Sequence, residues 1–200
     1  MCWLAAVPAI ADCPPTAAIT ERLEQLPLAA AARTERFGRP IPWELYARAA
    51  AAIDTPFPRR EGQLIQGTMV STQPAESWWM AINDDDHHEE GGYLPLRVSE
   101  VVRGLPGRSG RETLQYYRSA GFGRWWVNRL EFDADLFERS TGRLWQLSWR
   151  DVQERYPEAP RLGAAIRAPA VEETWGSWLL VELGESCTLV EYVASGDAGG

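Results

Sequence analysis

Beyond Gly62 the chain is written almost entirely in short extended segments, and this run constrains the fold more than any other feature. Segments 63–72, 94–103, 111–119, 124–132, 143–151, 174–183 and 186–194 are rich in Val, Leu, Thr, Trp and Tyr and are punctuated by Gly. β-Branched and aromatic residues suit a pleated, half-buried surface, and glycine marks turns, so the pattern predicts one curved antiparallel sheet. One helix interrupts it. Pro74-Ala75-Glu76-Ser77-Trp78-Trp79-Met80-Ala81-Ile82-Asn83 has helical period, with proline at its start and an acid where the helix dipole favours negative charge. A strand, a helix and then a continuous series of strands is the order of an α+β domain, with the helix expected at the edge of the sheet.

Residues 14–58 read differently, as helices between prolines. Thr16 caps a segment through Ile19, Leu23 and Leu26, residues 29–36 form a second, and Pro42 opens a third with Trp43, Tyr46, Ala47, Ala50 and Ile53 on one face. The chain therefore divides into an apolar start (1–13), a helical extension (14–58) and the sheet domain (62–200). The start, Cys2 to Ala11, resembles the end of a signal peptide with an Ala-x-Ala pattern before Asp12, but lacks a positive n-region. This balance slightly favours the cytoplasm and keeps periplasmic export as the alternative.

Charge and cysteine usage narrow the function classes. The net charge of -8 includes no long basic stripe, so nucleic acid and anionic membranes lose their usual electrostatic attraction. All 20 basic residues are Arg, which reads as GC-rich, bacterial-type coding rather than as a binding signal. No stretch approaches the roughly 18 apolar residues of a transmembrane helix. Cys2, Cys13 and Cys187 are too scattered to predict either a disulfide or a metal site.

The densest polar stretch is Asn83-Asp84-Asp85-Asp86-His87-His88-Glu89-Glu90. Adjacent ligands diverge on a helix or strand and no distant His exists to complete a site, so it reads as a solvated helix end with no metal. Without a nucleophile motif, no catalytic residue is assigned. Gly104-Leu105-Pro106-Gly107-Arg108-Ser109-Gly110 lacks the ending of a phosphate loop and reads as a connection between strands. The aromatic residues carry more information. Tyr116, Tyr117, Trp125, Trp126, Trp145, Trp149, Trp175 and Trp178 all fall in expected strands, and alternation puts Trp145, Leu147 and Trp149 on one face. Adjacent Trp125 and Trp126 must face opposite ways, so both faces carry aromatic cover. The interleaved Arg97, Arg111, Arg118, Arg124, Arg129 and Arg143 read as a charged surface, with one cation inside a cavity as the functional alternative.

The segment Gly67-Thr68-Met69-Val70-Ser71-Thr72 followed by Pro74-Ala75-Glu76-x-x-Trp79-x-x-Ile82-Asn83-Asp84 resembles the START-like superfamily, the polyketide cyclase/dehydrase and lipid-transport group. Gly176-Ser177-Trp178 and Cys187-Thr188-Leu189-Val190-Glu191-Tyr192 are similar to its last two strands, so the likeness spans about residues 63–200. The resemblance implies a helix-grip fold, a curved antiparallel sheet around a long C-terminal helix with an apolar cavity between them. Here Gly196-Asp197-Ala198-Gly199-Gly200 stands where that helix would begin, which leads to the expectation of a fragment whose uncovered sheet face self-associates.

The residues expected to line the cavity are Met69, Arg124, Trp126, Asn128, Trp145, Leu147, Trp149, Trp178 and Tyr192. The function implied is binding or transport of a hydrophobic small molecule, lipid-like or aromatic, without a cofactor. Two alternatives stand beside it. One is a cyclase/aromatase-type enzyme using Arg124, Asn128 or Tyr192 on carbonyls; the other is a structural or interaction module.

Overall fold

The computed structural model describes residues 13–15, 17–18, 21, 54, 57–61, 63–88, 96–119, 122–157 and 168–197. Eight strands form one antiparallel sheet: β1 (Phe57–Glu61), β2 (Leu64–Ser71), β3 (Leu96–Arg103), β4 (Arg111–Ser119), β5 (Phe122–Phe132), β6 (Leu144–Asp151), β7 (Glu173–Gly184) and β8 (Cys187–Asp197). Helix α1 (Ala75–Asn83) and a 3-10 turn (Asp85–His87) separate β2 from β3; α2 (Ala134–Arg139) separates β5 from β6, and a second 3-10 turn (Gln153–Arg155) follows β6. The spatial order is β1-β2-β8-β7-β6-β5-β4-β3, so β2 pairs with the last strand of the chain. The molecule is thus of the α+β class, as its pattern of elements predicts.

β1 adds a strand to the seven expected. The sequence pattern assigns residues 57 and 58 to the helical extension, yet Phe57 stands opposite Thr68 and Glu61 opposite Leu64 in a hairpin ladder. Local ladder formation gives each of these residues a backbone partner, which a proline-bounded helix there would not. Pro58 fits because β1 is an edge strand, where a missing N–H can face outward. The sheet therefore begins ahead of the boundary placed at residue 62. The helices expected between Thr16 and Ile53, and the apolar start, lie outside the described residues apart from isolated positions.

Six residues are too few for periodicity to reveal α2, which is set by its ends instead. Asp133 Oδ1 accepts the Leu136 N–H at 2.9 Å, and Gly142, at φ +81°, closes the helix by donating its N–H to the Phe137 carbonyl at 2.8 Å. Helix α1 departs from its expected place at the edge. Its Ala75 and Ile82 pack on Leu147, Leu180 and Val190 of the three neighbouring strands β6, β7 and β8, with Trp78, Trp79, Leu130, Trp145 and Trp178 around them. The middle of a sheet offers more apolar area to bury than its rim does, and this decides where the helix sits.

Cross-strand partners share a face. Met69 with Val190, Tyr192 with Trp178, Leu180 with Trp145, Trp149 with Leu130 and Asn128 with Thr113 therefore trace one face from β2 to β4. Helix α1 lies on this helix-bearing face. The opposite face buries Val70, Leu189, Leu179, Leu144, Val127 and Leu114. Toward β4 it is covered by Val152, Tyr156, Ala168 and Ala170. There the buried Glu112 accepts from the Tyr156 hydroxyl at 2.5 Å and from Arg155 Nη1 at 2.6 Å. Burial, together with that bond, pushes the Tyr156 hydroxyl up to about 12.

Cys13 and Cys187 form a disulfide, with Cα atoms 5.1 Å apart across 174 residues of sequence. Spacing alone does not predict this pairing, since three cysteines allow three pairs. The bond ties the segment before the sheet to the start of β8. Removing such a long closed loop's constraint on the unfolded chain costs about 2 to 4 kcal/mol. Reduction should therefore lower the Tm by on the order of 10 °C; an unchanged melting curve after complete reduction would show that the tie stabilises nothing.

Candidate ligand-binding site

Three aromatic rings occupy the middle of the helix-bearing face beside α1. Trp149 stacks on Tyr192 with ring centroids 5.6 Å apart and an interplanar angle of 28°, and Trp178 leans on the same tyrosine at 4.6 Å and 52°. These rings come from three different strands, β6, β7 and β8. Gly176 makes the arrangement possible. It stands opposite Trp149 on β7, and a Cβ there would lie 2.2 Å from Trp149 Cζ2, so the indole crosses β7 over bare backbone to reach β8. All three aromatic side chains are only partly buried. Burial pushes the Tyr192 hydroxyl above its ordinary value, so it remains a neutral phenol at physiological pH.

The register puts all nine residues expected in a cavity on this one face. Met69 opposes Val190, and Arg124, Trp126 and Asn128 alternate along β5 in phase with Leu130, the partner of Trp149. They do not share one environment. Leu147 is fully buried under α1, and Trp145 meets Trp79 at 5.5 Å and Phe137 at 4.8 Å, within the packing between the two helices and the sheet. Met69, Trp149 and Tyr192 form the partly exposed stretch beyond that packing, and Trp178 stands at its margin, packed on the cluster under α1 and leaning onto Tyr192. On the β5 side, Trp126 Nε1 donates to Gln115 Oε1 at 2.8 Å, Arg124 Nη1 donates to the Gly123 carbonyl at 3.1 Å, and Asn128 is buried.

The acidic stretch divides in a way its composition does not predict. Asp84 and His87 bond each other in solvent at 2.6 Å, with the histidine side chain 62% exposed, which matches a solvated helix end. Asp85 does not follow: it turns inward and receives Arg111 Nε and, at 3.4 Å, Arg111 Nη2, both side chains being 1% exposed. Arg111 is thus neither a surface charge nor a free cation in a cavity. Its charge is spent holding the 3-10 turn against the sheet. Among the described residues no group of His, Cys, Asp and Glu could hold a metal ion, and no helix is long and apolar enough to cross a membrane. Segment 104–110 connects β3 to β4, as expected of a loop.

No family model and no curated protein matches the sequence. Solved structures do match. The STAR-related lipid transfer protein from Xanthomonas axonopodis superposes with a TM-score of 0.53 at 15% identity, covering 71% of this chain and 75% of that one. Human STARD10 gives 0.54 at 14% identity, covering 68% of this chain and 52% of that one. The lipid transfer and protein localization domain of human StarD13 gives 0.52 at 12% identity over 78% and 82%. Likeness at these identities establishes the fold, which is START-like.

Proposed function

We propose that this chain binds a hydrophobic small molecule, lipid-like or aromatic, on the helix-bearing face beside α1. The observation that carries the reading is the partly exposed aromatic trio Trp149, Trp178 and Tyr192, adjoined by Met69, on a face whose neighbouring portion is closed by a helix. Large apolar rings left partly open to water lose free energy that a ligand of matching shape recovers by covering them. The likeness in fold to the Xanthomonas STAR-related lipid transfer protein and to the StarD13 lipid transfer domain supports the same reading. Trp145 and Leu147 act beneath α1 as the floor that fixes the helix, while Trp126, Asn128 and Arg124 border the ligand on β5.

Titration with the neutral solvatochromic dye Nile red tests this. Trp149→Ala should weaken dye binding about tenfold or more, because it removes a buried ring face worth at least about 1.4 kcal/mol. Replacing His87 and His88 together by Ala should leave binding unchanged, since His87 is exposed and His88 is held by the Ala81 carbonyl at the C-terminal end of α1. Loss of binding only in the histidine variant would overturn the assignment of the face.

A further inference from the structure

We infer that the ligand carries a neutral hydroxyl group, which docks on Ser99, Thr113 and Asn128. The inference rests on the proposed function and adds the chemistry of the ligand's polar end. Ser99 is 3% exposed, Thr113 1% and Asn128 5%, yet Ser99 Oγ, Thr113 Oγ1 and Asn128 Oδ1 have no hydrogen-bond partner. A buried polar atom left without a partner is costly, and most such atoms in folded proteins are satisfied. Two of them directly opposed, with the third on the diagonal, mark a place built for something else to bond.

Their position says what that is. Thr113 and Asn128 are directly opposed on β4 and β5 without bonding each other, and Ser99 stands diagonally beside Thr113 on β3. All three lie on the helix-bearing face, and Asn128 is the next residue on that face after Leu130, the partner of Trp149. One path therefore runs from the aromatic trio to the polar trio, apolar at one end and hydrogen-bonding at the other.

The charges nearest the three atoms disfavour an anion, and Arg124, the cation further along β5 on the same face, donates to the Gly123 carbonyl. Arg111, the cation next to Thr113 on the same face, is paired with Asp85. Asp151 stands opposite Asn128 on β6, and its negative charge repels a carboxylate or phosphate. A hydroxyl meets every requirement: it donates to Asn128 Oδ1 and accepts from the Thr113 or Ser99 hydroxyl.

Calorimetric titration with 2-naphthol, naphthalene and 2-naphthoate separates the polar end from the apolar body, since the three share one ring system. Wild-type protein should bind 2-naphthol about tenfold more tightly than either of the others. Thr113→Val and Asn128→Leu should each bring the affinities for 2-naphthol and naphthalene level, and Thr113→Ser, which keeps the hydroxyl, should keep them apart. Because these apolar replacements remove an unsatisfied buried group, their Tm should not fall, and melting curves show directly that the variants are folded. Replacing 2-naphthol by 1-dodecanol tells whether a ring or a chain forms the apolar body. Naphthalene binding with the same hydroxyl preference in wild type and variants would overturn the subsite alone. Failure of the wild type to bind any of these probes would overturn the hydrophobic-ligand reading and the subsite with it.

Discussion

Gly176→Ala should destabilise the protein by at least about 3 kcal/mol, although it adds a single methyl group in a strand. Alanine ordinarily stabilises a strand relative to glycine. Here the added carbon would meet Trp149 Cζ2 at 2.2 Å and the Val193 carbonyl oxygen at 2.3 Å. The tryptophan could swing away only by giving up its stack on Tyr192, and the carbonyl belongs to the ladder between β7 and β8 and has nowhere to go. Overpacking of this kind costs about 1 to 3 kcal/mol where neighbours can yield, and more where they cannot. Gly67 provides the control. It lies on the same face, and a Cβ there meets only Tyr192 Cβ at 4.0 Å, an ordinary contact. Thermal unfolding should show Gly176→Ala losing on the order of 10 °C and Gly67→Ala losing almost nothing. Equal melting temperatures for the two variants would mean that Trp149 does not lie across β7.

Asp85→Ala should cost about 3 to 5 kcal/mol, because it leaves the Arg111 guanidinium buried without its counter-charge. The double variant Asp85→Leu with Arg111→Met should recover most of that loss, since a buried ion pair replaced by apolar groups of similar size is often neutral in stability. Urea unfolding of the single and double variants separates the two contributions. A loss below about 1 kcal/mol in the single variant would place the pair in solvent, where such contacts are worth little. The pair also has a bearing on ligand binding. It holds the 3-10 turn that packs against β3, the strand carrying Ser99.

The sheet was legible in the sequence because its signal is redundant. Seven strands are each announced by several β-branched or aromatic residues, and the glycines around them mark most of the turns, so the boundaries agree within a few residues of those observed. The alternation that put Trp145, Leu147 and Trp149 on one face is a local rule and holds. What stayed hidden is set by long-range contact. Nothing near Asp85 distinguishes it from Asp84 and Asp86; its burial depends on Arg111, 26 residues away. β1 is short, carries a proline, and exists because β2 offers it an edge. The Cys13–Cys187 bond joins positions whose proximity follows only from the complete topology. The polar trio was half visible: Asn128 could be singled out as a polar residue on an aromatic face, whereas Ser99 and Thr113 become neighbours only through the β3–β4–β5 register.

The proposed apolar ligand covers the helix-bearing face at Trp149, Trp178 and Tyr192. The ten tryptophans provide a direct readout, since each indole N–H gives its own signal in a two-dimensional nitrogen–proton NMR spectrum. Trp125 and Trp175 lie on the opposite face and serve as internal controls. Titration with 2-naphthol should shift the Trp149 and Trp178 indole signals first and furthest, leaving those of Trp125 and Trp175 in place. Shifts confined to Trp125 and Trp175 would put the ligand on the opposite face, and a spectrum that does not move at saturating probe would rule the ligand out.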